Sequence, residues 1–416
     1  MSILTTAVRM WLTRSIKPFR FTNEYSKIIS YDKEKNLGIY VHIPFCRSLC
    51  VFCPYCKSVY NEREAQSYKE ALIKEIELVS QKKDKKRVTS LYFGGGTPLL
   101  LIDYLKEIID KIKKHFIIEE GIGIELHPDD VTVENLKALK EMGVDRISIG
   151  VQSFQEEFLD ILGRKKYDFE NMFSALKEVR FKTVSMDFIF ALPGQSFELI
   201  KKDIDTAFLN GANHIAIYPF IDFTFAKNRI TAMKKREKKQ LLYKICDYCK
   251  EKGYVRSSIW TFSKGYENKY SSMTRDNFLG FGCSATTLLA DEFKINTFSL
   301  KEYIKRIESG ELATSLTLKF TLRQRMVYYL FWTAYTTRVE KEKFKEFFGY
   351  DLDKKYGFEL MLARMAGFVK YKDGVYEMTK KGSFYYHYYE NFYTLSYIDK
   401  MWGVMRKEAF PQKMEF

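Results

Sequence analysis

Four cysteines fall within eleven residues of the stretch YVHIPFCRSLCVFCPYCKSVY: Cys46, Cys50, Cys53 and Cys56. Thiols gathered this closely can hold zinc, close a disulfide or ligate an iron–sulfur cluster. Zinc sites built from two Cys-x-x-Cys pairs usually separate the pairs by a long spacer or add histidines. Here all four cysteines crowd one loop, and of the histidines at 42, 115, 127, 214 and 387 only His42 is close by. A structural zinc is therefore disfavoured. A compact iron–sulfur cluster fits, because one turn of chain can wrap it. Cys246 and Cys249 lie in a helical pattern and read as buried thiols, while Cys283 stands alone after Gly282.

The elements that must carry this loop are legible in the chain. From Leu37 onward, strand-like and helix-like stretches alternate through six units. The strands are LGIYVHIPF, VTSLYFGGG, GIGIELHPD, RISIGVQS, VSMDFIFALPG and HIAIYPFI, and amphipathic helical patterns lie between them. Such alternation predicts an α/β protein, a partial (β/α)6 barrel of the TIM type, with its chemistry at the carboxyl ends of the strands. The unusual residues sort to those ends: the cysteine loop, GGGTP, ELHPD, GVQSF and ALPGQ each follow a strand.

Six ordered motifs then carry a resemblance: YVHIPFC, YFGGGTP, DRISIGVQSF, DFIFALPGQ, HIAIYPF and FLGFGCSA. Together with the spacing Cys46-x3-Cys50-x2-Cys53, they resemble the radical S-adenosylmethionine (SAM) superfamily, in its oxygen-independent coproporphyrinogen III oxidase-like branch. The match runs from about Gly38 to Glu302. The resemblance implies that Cys46, Cys50 and Cys53 hold a [4Fe–4S] cluster whose fourth iron binds SAM. An electron from the cluster would cleave SAM to the 5′-deoxyadenosyl radical. It implies that Tyr40 and Phe52 pack about the cluster, and that Gly94, Gly95, Gly96 and Thr97 meet the methionine end of SAM. Glu125 would bind the amino group or hydroxyls of SAM. Gln152, Arg164 and Asp187 would contact SAM, or a second SAM where two bind. Taken singly, Tyr40 reads equally as a core aromatic, and Glu125 or Asp187 as a helix cap.

The same resemblance implies a coproporphyrinogen dehydrogenase-like oxidoreductase acting on a tetrapyrrole or similar bulky substrate, with flavodoxin or ferredoxin as electron donor. Two-SAM methyl transfer or cyclopropanation, anaerobic haem degradation and non-catalytic haem delivery are the alternatives within the branch. Cys56 departs from the pattern. The family's extra cysteine stands two positions after the third ligand, and here it stands three after.

The chain of 416 residues, 46% hydrophobic, has length for a large domain and a smaller one. The division predicted is an N-terminal amphipathic segment (1–36), a barrel with extension (37–305) and a helical, winged-helix-like C-terminal domain (306–416). In the last, VKYKDGVYEM reads as a hairpin turning at Asp373-Gly374. No apolar run reaches membrane-spanning length and no signal-peptide core is evident, so a cytoplasmic protein is expected. The net charge of +15 invites thoughts of nucleic acid, an anionic membrane or an anionic substrate. The runs QKKDKKR and MKKREKK read as solvated faces, and nucleic acid is not the expected partner. Residues 1–20 carry Arg9, Arg14, Lys17 and Arg20, no acid, and apolar residues near helical spacing. Peripheral membrane contact would suit such a helix, and packing on the protein's own body suits it better.

Overall fold

The computed structural model describes residues 3–24, 28–80, 84–221, 223, 230–231, 233–265 and 276–416. Its centre is a run of parallel strands: Leu37–Ile43, Leu91–Gly95, Ile122–Leu126, Val144–Gln152, Thr183–Phe190 and His214–Pro219. Each pairs with the next in chain order, and the last does not return to the first, so the barrel stays open. All six are rich in β-branched and aromatic residues and buried along most of their length. Runs that are apolar on both faces belong in a parallel sheet covered by helices.

Helices follow where the periodicity predicts them, including Glu62–Val79, Ile102–His115, Val133–Glu141, Phe169–Glu178 and Phe197–Leu209. Several begin on a side chain that accepts from the first turn, as do Asn61, Thr132, Asp168 and Ser196. Their apolar faces join the strands in one continuous core.

A seventh parallel strand was not expected. Asn277–Phe281, carrying the first part of FLGFG, pairs with Leu37–Ile43 on its free edge. Antiparallel strands Thr286–Leu288, Glu292–Asn296 and Thr314–Lys319 continue the sheet. Arg20–Thr22 and Lys413–Glu415, near the two ends of the chain, complete it. One sheet thus draws strands from all three segments of the chain.

The C-terminal region, predicted as helical apart from one hairpin, holds a further strand. The stretch TLRQRMVYYLFWTAYTTRVEKEKFKEFFG is not helical throughout. The helix Leu322–Tyr335 ends at Thr336 and Thr337, and Thr337 takes a left-handed backbone (φ 64°). Arg338–Glu340 is then a strand, and a new helix runs Lys341–Phe348. The strand joins the hairpin Val369–Lys372 and Val375–Met378 to make a three-stranded sheet. Asp373 and Gly374 turn that hairpin with positive φ, as their types predict.

The N-terminal helix, Ile3–Thr13, packs against the helices Leu322–Tyr335 and Lys380–Tyr393, so packing on the body is what the structure shows. Ile3 and Ile16 remain exposed. Of the basic runs, residues 81–83 lie outside the described residues, and MKKREKK leads into the helix Lys235–Glu251. Among the described residues, no helix is long and apolar enough to cross a membrane.

Candidate functional site

The cysteine loop leaves the first strand and is tied down on several sides. Lys57 donates to the carbonyls of Cys50 (2.5 Å) and Cys53 (3.1 Å). Arg47 pairs at 2.6 Å with the buried Asp130, just past the third strand. Arg406, near the other end of the chain, donates to the carbonyls of Pro54 and Tyr55. Sequence reasoning missed all three anchors. Lys57 and Arg47 were within sight of the motif, whereas nothing local marks Arg406.

Cys46, Cys50 and Cys53 are free thiols lining one cavity of about 1680 Å³. Phe52, Gly95, Gly96, Thr97, Glu125, Gln152, Arg164 and Asp187 line the same cavity. Tyr40 and Gly94 do not. Among the described residues, no three His, Cys, Asp or Glu side chains converge as a site for one metal ion. A cluster does not require that convergence, because each thiolate takes a different iron. Burial pushes the thiol of Cys46 up to about 11 and raises that of Cys53.

The glycine tripeptide has a reason for each residue. A Cβ on Gly94 would sit 3.0 Å from the carboxyl of Glu125, and on Gly95 2.6 Å from the ring of His42. On Gly96 it would lie 2.4 Å from the carbonyl of Phe45 and 2.9 Å from the sulfur of Cys46. The space spared at Gly94 is therefore taken by the protein's own carboxyl group. Gly96 lets the second strand's end approach the cysteine loop, and its N–H donates to Ile43 (2.7 Å).

Glu125 and Asp187 do not cap helices. Glu125 accepts from the N–H of Gly95 (3.0 Å) and the hydroxyl of Tyr92 (3.1 Å). Asp187 accepts from Ser148 (2.9 Å) and Ser185 (3.1 Å). Burial raises both carboxyls, that of Asp187 to about 7, with the charge of Glu125 contributing. Arg164 donates to the carbonyl of Gly150 (2.6 Å) and stands 5.7 Å from the centre of the Phe52 ring. Its Nε is buried without a hydrogen-bond partner. Gln152 holds a left-handed backbone (φ 71°), a conformation costly outside glycine and concentrated at functional sites.

Tyr40 faces elsewhere. Its ring stacks on Tyr92 (6.3 Å), and its hydroxyl shares a 2.9 Å hydrogen bond with Nδ1 of His42. Burial lowers His42 to about 4, which keeps it neutral. Tyr40 lines a second cavity, of about 820 Å³. Tyr55, Tyr92, Glu125 and Tyr218 line both cavities, so the two share a wall.

Cys56 lies on the second cavity, with its sulfur 3.9 Å from that of the buried Cys283. It also donates to the carbonyl of Phe298 (3.3 Å). The fourth cysteine of the motif therefore meets a thiol that follows the neighbouring strand Asn277–Phe281, a contact the sequence did not reveal. Cys249 is buried on the helix Lys235–Glu251, as the periodicity implies, whereas Cys246 is half-buried and lines the first cavity.

An open parallel barrel with a three-cysteine loop, a glycine tripeptide and two buried carboxyls on its strands resembles the architecture of radical SAM proteins. Residues 40–207 match the model of the Radical SAM superfamily. The chain carries a radical SAM domain, and such domains use a [4Fe–4S] cluster and SAM. Two curated relatives narrow the comparison. The chain is 28% identical over 331 residues to the heme chaperone HemW of Bacillus subtilis, covering 76% of this chain and 87% of that one. It is 25% identical over 394 residues to the oxygen-independent coproporphyrinogen III oxidase of Helicobacter pylori, covering 85% of each. Among solved structures, coproporphyrinogen III oxidase (HemN) from Escherichia coli superposes with a TM-score of 0.71 at 21% identity, covering 85% of this chain and 89% of that one. That likeness establishes the shared fold.

Proposed function

We propose that this protein is a radical SAM enzyme that reductively cleaves SAM and acts on a bulky substrate seated in the second cavity. The observation that carries the reading is one cavity lined by three free thiols, the glycine turn, Glu125, Arg164 and Asp187, sharing a wall with a large apolar cavity. The residues fit the cofactors. Three thiols suit a cluster with one open iron. The buried, unpartnered Nε of Arg164 suits a carboxylate, for which guanidinium is the usual partner. Two buried carboxyls held high by desolvation suit an ammonium group or ribose hydroxyls, which would relieve that penalty.

When bound, the cluster and SAM supply a one-electron cleavage that yields a carbon-centred radical. The chain's part is to hold and to shield. Cys46, Cys50 and Cys53 would ligate the cluster, and Phe52 would cover it. Gly95, Gly96 and Thr97 would offer backbone, and Gln152, Arg164 and Asp187 would orient one SAM or a second. Tyr55, Tyr92 and Tyr218 would wall the reacting centre from water.

The names of the relatives make tetrapyrroles the first substrates to test. Coproporphyrinogen dehydrogenation, methyl transfer and haem degradation are the reactions proposed. Non-catalytic haem delivery is the second reading, favoured by the name of the Bacillus subtilis relative. The test is anaerobic reconstitution with SAM and dithionite. Steady release of 5′-deoxyadenosine is expected once a substrate fills the second cavity, and mass spectrometry with methyl-labelled SAM separates loss of CO2 from methyl gain. Stoichiometric haem binding with no 5′-deoxyadenosine would overturn the enzyme reading.

A further inference from the structure

The second cavity has an unusual balance of chemistry. Aromatic rings from distant parts of the chain converge on it, among them Tyr40, Trp260, Tyr328, Phe331, Tyr397 and Trp402. Among the described residues on its wall, only Arg9, Arg146 and Glu125 are of a charged type. The two histidines there, His42 and His387, are kept neutral by burial. Glu125 is committed to Gly95 and Tyr92. Arg146 donates to the carbonyl of Glu120 (2.6 Å) and lies 4.0 Å from Asp145.

Arg9 is different. It comes from the N-terminal helix, whose Val8 and Leu12 line the same cavity. Only 7% of it is exposed. It donates to the carbonyl of Lys17 and stands 5.8 Å from the centre of the Phe19 ring. Its Nε is buried with no hydrogen-bond partner, and among the described residues it has no acidic partner. A guanidinium keeps its charge, and a buried charge is costly unless an opposite charge meets it. An anion that the described residues do not provide is one that a ligand can provide.

We propose that the second cavity binds an apolar carboxylic acid bearing a single anionic group. The carboxylate sits at Arg9, and the body lies among the aromatic rings. Its far end reaches the wall formed by Tyr55, Glu125 and Tyr218, beside the SAM cavity. This rests on the radical SAM reading and narrows its substrate. A substrate with several propionates would need a cation for each, and Arg9 is the one cation on the described wall not already engaged by an acidic neighbour. The assignment also gives the basic N-terminal helix a task, that of closing the substrate cavity and supplying its single fixed charge.

Pyrene fluorescence tests it in the reconstituted protein with SAM and no reductant. Pyrenebutyrate is expected to bind at least about ten-fold more tightly than the uncharged pyrenebutanol. In Arg9→Gln that preference disappears while pyrenebutanol binds as before, and Arg9→Lys restores part of it. Coproporphyrin III at equal concentration leaves pyrenebutyrate in place. Equal binding of acid and alcohol by the unsubstituted protein overturns the proposal without recourse to any variant, and so does one-for-one displacement by coproporphyrin III. Neither readout uses SAM cleavage. Failure of the enzyme reading shows as absent 5′-deoxyadenosine, and failure of this one as absent charge preference.

Discussion

Replacing Gly96 by alanine tests whether the second strand's end must touch the cysteine loop. The added Cβ would lie 2.4 Å from the carbonyl oxygen of Phe45 and 2.9 Å from the sulfur of Cys46. A carbon–oxygen contact settles at about 3.3–3.6 Å, so the two segments must part by about 1 Å. Neither is free to do so. The N–H of Gly96 donates to Ile43 (2.7 Å) and that of Thr97 to Phe45 (2.7 Å), so parting stretches the bonds that define the turn. Overpacking costs about 1–3 kcal/mol and one weakened hydrogen bond about 1 kcal/mol more. The expected loss is thus about 2–4 kcal/mol. Displacement of Cys46 by even part of that 1 Å should also disturb cluster ligation. The assays are urea denaturation, iron and sulfide content after reconstitution, and 5′-deoxyadenosine release. A Gly96→Ala protein that loses under about 0.5 kcal/mol and loads a full cluster would refute the reasoning, because the loop would then have room to spare.

Other outcomes follow from the same geometry. Cys46→Ala, Cys50→Ala and Cys53→Ala should each abolish the cluster's absorption and most bound iron, whereas Cys56→Ser should keep four irons per chain; loss of iron in Cys56→Ser would make it a ligand after all. Glu75 is buried beneath the seventh strand, accepting from Gly282 (2.6 Å), Asn296 (2.8 Å) and Tyr303 (2.7 Å), and burial lifts it from 4.5 to about 7. Its titratable neighbours Tyr68, Tyr303 and Cys283 stay protonated, since burial raises all three. The raised carboxyl gives stability that is whole below about pH 4.5 and lost as pH climbs through 7, amounting to about 3 kcal/mol. Denaturation from pH 5 to 8 should show this decline in the unsubstituted protein and a flatter profile in Glu75→Gln; parallel profiles would rule the account out.

The local alternation of apolar runs and amphipathic stretches determined the six strand–helix units, because each run's length and period suit only one kind of element in a covered parallel sheet. The same reading sorted Cys46, Cys50, Cys53, Gly96 and Glu125 to strand ends, which is why one cavity could be foreseen from the chain alone, while Asp187 enters it from mid-strand. What the sequence could not show depends on residues far apart in the chain. The strand Asn277–Phe281 is too short to announce itself, and it becomes a parallel neighbour of Leu37–Ile43 only through tertiary pairing. That pairing carries Cys283 to within 3.9 Å of Cys56, 227 residues away, and sets the motif's fourth cysteine beside a second thiol. Arg406 reaches the cysteine loop across 351 residues or more, and Arg9 turns inward because helices near the C-terminus cover it. Periodicity reports which face of an element is apolar. Which distant face that surface meets, and which charge is left buried without a counter-ion among the described residues, is decided only when the whole chain packs.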